Sequence, residues 1–79
     1  MSVSTSDLTT IRYNLEWAIS IARNISFFYT RATFDSVDRK ESNLYVKGSY
    51  SSSAERGTYE AVLDKAFNIV SLKISPQSR

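Results

Sequence analysis

The chain has no cysteine and no histidine, and it carries one proline and two glycines in 79 residues. Each shortage removes a class of chemistry. Without cysteine there is no disulfide, no thiol nucleophile and no thiolate metal ligand. Without histidine, the commonest general base near neutral pH and a usual zinc ligand are missing. Two glycines, Gly48 and Gly57, are too few for a loop that cradles phosphate. The hydroxyls of Ser51, Ser52 and Ser53 have no base to activate them, so that run reads as a flexible loop. What remains for catalysis is carboxylate. Asp35, Asp38 and Glu41 are spaced by three, yet a calcium loop carries denser oxygen ligands and a glycine, so these read as a solvated turn. No catalytic residue, metal or cofactor is expected, and the chain is not expected to be an enzyme.

Long hydrophobic runs are also lacking. The most apolar segment, Trp17 to Tyr29, is broken by Arg23 and Asn24 and falls short of the roughly 20 residues that span a bilayer. The N-terminus shows no basic region followed by an apolar run, so no signal peptide is read there. A cytoplasmic protein without membrane contact is the expectation. Asn24-Ile25-Ser26 matches a glycosylation acceptor, but within a helix of an intracellular chain it reads as chance.

A net charge of +2 is mildly basic, well short of the clustered excess of a dedicated nucleic-acid binder. With 42% hydrophobic and 23% charged residues the composition is that of a globular protein. A chain of 79 residues makes one small domain, near the size at which a single core barely outweighs chain entropy. Dense packing or association must supply the missing stability, and association is the expectation.

The organising stretch is Asp7 to about Ala32. Leu8, Ile11, Leu15, Ala18, Ala22, Ile25, Tyr29 and Ala32 recur at spacings of three and four, which predicts a helix over 7–32 capped by Ser6 or Asp7, behind a frayed leader 1–6. Trp17, Ile21 and Phe28 widen the apolar stripe on one side and Ile19 on the other, while Phe27 lies further round. Arg12, Glu16, Ser20, Arg23, Asn24 and Thr30 form a narrow polar strip.

After a stretch around Phe34 to Val37 that supplies the fourth strand if it joins the sheet, and a charged turn over 38–43, the period changes to two. Leu44, Val46, Gly48 and Tyr50 alternate with Tyr45, Lys47 and Ser49. A polar loop over 51–57 leads to a strand with Tyr59, Ala61 and Leu63 on one face. A tight connection over 64–68 precedes the last strand, with Val70, Leu72 and Ile74 on one face and Ile69, Ser71 and Lys73 on the other; residues 76–79 form a tail. The fold class is therefore α+β: one long N-terminal helix on a three- or four-stranded antiparallel meander sheet spanning 33–75, in a single domain 1–79.

A length comparison then points to function. A helix of about 26 residues is about 39 Å long, whereas strands of about seven residues span roughly 23 Å. The sheet is expected to leave helix surface uncovered. Tyr13, Trp17, Ile21 and Phe28 are the candidates for that surplus, with Phe67 at the hairpin tip as a single anchor; all five are read as partner-binding residues. The function expected is a non-catalytic binding or accessory protein, acting as a homodimer or as a subunit of a larger assembly. The alternative is a small nucleic-acid-binding protein using Tyr45, Lys47, Arg56 and Lys73, because basic residues beside an aromatic suit phosphate contact and base stacking.

The stretch Gly57-Thr-Tyr-Glu-Ala-Val-Leu-Asp-Lys-Ala-Phe-Asn-Ile-Val-Ser-Leu-Lys-Ile74 resembles the closing hairpin of PepSY-like domains and of the gas vesicle protein O family. Phe67 stands where such a hairpin tends to carry glycine. The resemblance implies a long helix before a small antiparallel sheet and an accessory, non-catalytic role, and it transfers no functional residue.

Overall fold

Ser4, two to three residues earlier than expected, caps the helix. In the computed structural model, which describes residues 4–77, Ser4 Oγ accepts from the Asp7 amide at 3.2 Å and the Asp7 carboxylate accepts from the Ser4 amide at 3.4 Å. This reciprocal capping box satisfies donors that the first turn would otherwise leave free. Helix α1 then runs Thr5–Arg23. Of the expected frayed leader, Ser4 is therefore the cap and Thr5 and Ser6 are helical; residues 1–3, and 78–79 of the expected tail, lie outside the described residues.

The helix stops at Arg23, well before Ala32. Asn24 takes the left-handed conformation (φ 56°), its N–H donates to Ile21 O, and Ile25 N–H reaches back to Ser20 O at 3.0 Å. That pair of bonds closes the last turn as a C-terminal glycine usually does, and asparagine is the next residue best suited to it. A separate 3₁₀ turn, Phe27–Tyr29, follows. Thr30 pins it by donating from Oγ1 to Ser26 O at 2.6 Å. Ile25, Tyr29 and Ala32 thus continue the apolar period without continuing the helix.

Four strands, β1 Arg31–Lys40, β2 Asn43–Ser51, β3 Arg56–Leu63 and β4 Ile69–Pro76, form an antiparallel meander in the order β1-β2-β3-β4. The stretch around Phe34 to Val37 does join the sheet, in an edge strand longer than expected that begins at Arg31. The charged turn shrinks to Glu41 and Ser42, with Lys40 paired to Asn43 and Glu41 at φ 57°. Ser51 belongs to β2 and Arg56 and Gly57 to β3, which leaves Ser52–Glu55 as the loop.

Two bulges reset which side chains face inward. In β1 the register slips between Phe34 and Ser36, so Phe34 and Val37 both reach the core despite a spacing of three. In β3–β4 it slips at Leu63: Leu63 pairs with Ile69 while Val62 pairs with Ser71. Ile69 therefore packs against the core and Val70 is 63% exposed, which reverses the assignment read from plain alternation.

Ile11, Leu15 and Ile19 of α1 are fully buried against Leu44, Val46 and Tyr50 of β2 and Tyr59, Ala61 and Leu63 of β3. Gly48 is fixed by close approach: a Cβ there would collide with the Thr33 carbonyl oxygen and lie 2.8 Å from the Tyr59 hydroxyl, which donates to that same carbonyl at 2.8 Å.

The expected length mismatch does not exist. A 19-residue helix is about 28 Å long, and strands of 8 to 10 residues span about 27–34 Å. The sheet matches the helix in length. What it does not match is the helix's apolar arc.

Candidate functional site

The unmatched arc is a ridge of aromatic side chains along the outer side of α1. Tyr13 is 51% exposed, Trp17 44%, Ile21 72% and Phe28 82%. At about 100° per residue, Tyr13, Trp17 and Ile21 advance by successive turns along one edge, roughly opposite the Leu15 face that meets the sheet. Phe28 arrives by another route. The chain reversal at Asn24 folds the 3₁₀ turn back over the helix, and Phe27 becomes the hub of the cluster. Its ring stacks on Trp17 at 4.5 Å, meets Tyr13 edge-on at 5.4 Å and Phe28 edge-on at 5.9 Å. Trp17 Nε1 donates to the Tyr13 hydroxyl at 2.9 Å. The side chains are thus held by one another rather than by the core. Phe27, turned off the ridge in a helix continued to Ala32, reaches it only because the chain reverses at Asn24, and no residue type or spacing marks it beforehand.

Phe67 is not an exposed anchor. It sits at φ 66° in the β3–β4 turn, its side chain packs against the core, and its carbonyl accepts from Asn14 Nδ2 at 3.0 Å. It docks the hairpin onto α1. The Asp64 carboxylate organises the same turn by accepting from Asn68 N at 3.0 Å and Ala66 N at 2.9 Å, which holds its pKa below the usual value.

Of the residues read for nucleic acid, Tyr45, Lys47 and Lys73 do share the outer sheet face, around a shallow cavity of about 300 Å³. The register sets Glu60 directly between Lys47 and Lys73, and Glu60 lies 3.9 Å from Lys47 Nζ. Lys40 Nζ lies 5.6 Å from the centre of the Tyr45 ring. Arg56 stands apart, at the strand end opposite Ser51, not in a loop as read from the sequence. The grouping is divided in space and partly neutralised.

Two polar contacts were not legible. Glu16, placed in the exposed strip, is buried, and its Oε2 accepts from the Ala32 amide at 3.0 Å. Arg23 forms a forked pair with Glu55 at 2.8 and 3.2 Å, and the Tyr50 hydroxyl donates to the same carboxylate at 2.5 Å. Arg23 foremost, then Tyr50, holds Glu55 below the usual carboxylate range; burial, then Glu55, pushes Tyr50 up to about 12. Perturbed groups of this kind often mark reactive sites. Here each carboxylate oxygen is engaged by a neighbour, and the trio clasps the β2–β3 loop to the end of α1.

Among the described residues no group of three or more acidic side chains could hold a metal ion, and Asp35, Asp38 and Glu41 are spread along β1 and its turn. No described helix is long and apolar enough to cross a membrane. No family model matches the chain, and no curated protein and no solved structure matches it either.

Proposed function

We propose that this chain is a non-catalytic binding or accessory protein that acts through protein–protein contacts made by the ridge of Tyr13, Trp17, Ile21, Phe27 and Phe28. The observation that carries the reading is the exposure of a mutually stacked aromatic cluster on a core that is already complete. Aromatic side chains bury large areas at little rotamer cost and are the residues most enriched where binding energy concentrates. An accessory role is also what the resemblance of the closing hairpin implies.

Capture from the native cell extract tests the proposal. Wild-type chain should retain a protein partner that is lost with Ile21→Glu and with Phe28→Glu, and kept with a paired Lys47→Ala, Lys73→Ala change. Both ridge positions are largely exposed, so these substitutions leave the core untouched. Retention that ignores the ridge, or recovery of nucleic acid that depends on the two lysines, refutes the reading.

A further inference from the structure

The solvent-facing arc of α1 that carries the ridge has no charge on it. Thr10, Tyr13, Trp17 and Ile21 lie within it, whereas the helix's charged residues, Asp7, Arg12, Glu16 and Arg23, fall outside. Cores of interfaces are depleted of charge in this way, whereas a solvated helix face normally is not.

Along α1 itself the large exposed side chains are evenly spaced about one residue. Tyr13 and Ile21 stand equally far before and after Trp17, so a two-fold axis through Trp17, perpendicular to the helix, sets a large side chain against a large side chain on both sides. Such self-pairing is what an isologous contact requires. Area agrees. Aromatic side chains bring about 150–250 Å² each, and with exposures of 44% to 82% the ridge offers on the order of 500 Å² per copy. With the ridge wholly covered in both copies this comes to about 1,000 Å², the floor that a specific interface has to reach and the low end of the size range.

Building on the protein-contact reading above, we infer that the occupant of the ridge is a second copy of this chain. The two α1 helices pack antiparallel across an axis at Trp17, Tyr13 of one copy against Ile21 of the other, with the two Phe28 rings flanking the seam.

The absence of cysteine makes the geometry directly measurable. Thr10→Cys carrying a nitroxide label places the two labels about 23 Å apart in the antiparallel pair, from the rise along the helix and the usual interaxial distance, and about 10 Å apart in a parallel one. Light scattering on purified chain should report a dimer. Ile21→Glu and Phe28→Glu should each raise the dimer dissociation constant by about a hundredfold, since each copy brings the carboxylate to the same desolvated seam, with an unchanged far-ultraviolet circular dichroism spectrum. Labels near 10 Å, or a dimer indifferent to both substitutions, overturn the inference. A monomeric wild-type chain overturns it too. If extract capture in that case still depends on Ile21 and Phe28, the protein-contact reading survives with a different partner; if it does not, both fall.

Discussion

Glu16 offers the sharpest test of how the helix is tied to the sheet. β1 is an edge strand, and near its start the Ala32 amide, buried and turned away from β2, donates to the Glu16 carboxylate at 3.0 Å. Glu16→Ala leaves that amide without a partner. Orphaning a buried donor costs about 1–3 kcal/mol, and bonds to charged groups lie towards the upper part of that range. In a domain of this size each kcal/mol lowers the melting temperature by roughly 4–8 °C. A fall of about 10 °C is therefore expected for Glu16→Ala. Glu16→Gln keeps an acceptor oxygen of the same reach and should lose less than half as much. Arg12 is 3.9 Å from the carboxylate and its side chain is 55% exposed, so Arg12→Ala should cost no more than about 1 kcal/mol. Thermal melts followed by circular dichroism give the ranking, and hydrogen exchange at the Ala32 amide gives its cause: protection should fall in the alanine variant and persist in the glutamine one. Equal losses for Gln and Ala, or an Arg12→Ala loss as large as theirs, would refute the argument that this single bond anchors β1.

Gly48→Ala should be among the most damaging changes, because the added methyl meets the Thr33 backbone rather than a side chain that can move; a loss at or beyond the upper end of the roughly 1–3 kcal/mol of overpacking is expected in urea unfolding. At Asn24, φ 56° tolerates glycine but penalises a branched residue, so Asn24→Gly should stay within about 0.5 kcal/mol and Asn24→Val should cost about 1–2 kcal/mol. Two pH effects follow from the clasp around Glu55. Its lowered pKa contributes stability that is present above the ordinary carboxylate range, about 4.3, and is lost as pH falls through the folded value; Glu55→Gln should remove that part of the acid limb. Tyr50, held protonated up to about 12, resists ionisation that an unfolded tyrosine undergoes near 10. Stability should hold below about pH 10 and decline as pH rises through about 12, and Tyr50→Phe should weaken that decline.

The strands read well from the sequence where alternation is strict, as in Leu44-Tyr45-Val46, because a period of two is set by the pleat itself. They read badly where a bulge intervenes. Ile69 and Val70 exchange roles because Val70 is an extra residue on β4, lying between the partners of Leu63 and Val62, so that Ile69 turns inward while Leu72 and Ile74 keep the inward face read from alternation. Helix length failed for a related reason. The period of three and four ran on through Ile25 and Tyr29, but Asn24 could end the helix without a glycine, and a side chain that both favours the left-handed conformation and occurs inside helices gives no clear signal. Glu16 was misplaced because its burial depends on where β1 starts. That start follows from the reversal at Asn24, so one local misreading produced a distant one.

The ridge survived an argument that was half wrong. Its length premise depended on where the helix ends and failed with it. Its angular premise did not, since Tyr13, Trp17 and Ile21 all precede Arg23 and keep their mutual directions however the chain continues. A continued helix would also have carried Phe28 to this side, but Phe27 joins the ridge only because the helix stops: the left-handed residue at Asn24 returns the chain, and Phe27 then stacks on Trp17 and meets Phe28 edge-on. The feature that undid the length argument therefore widens the ridge it was meant to explain. It follows that Asn24→Val should do more than destabilise the fold. By misdirecting the turn it should separate Phe27 from Trp17, change the tryptophan emission of the folded protein, and weaken any association that uses the ridge, whereas Asn24→Gly should leave all three as they are.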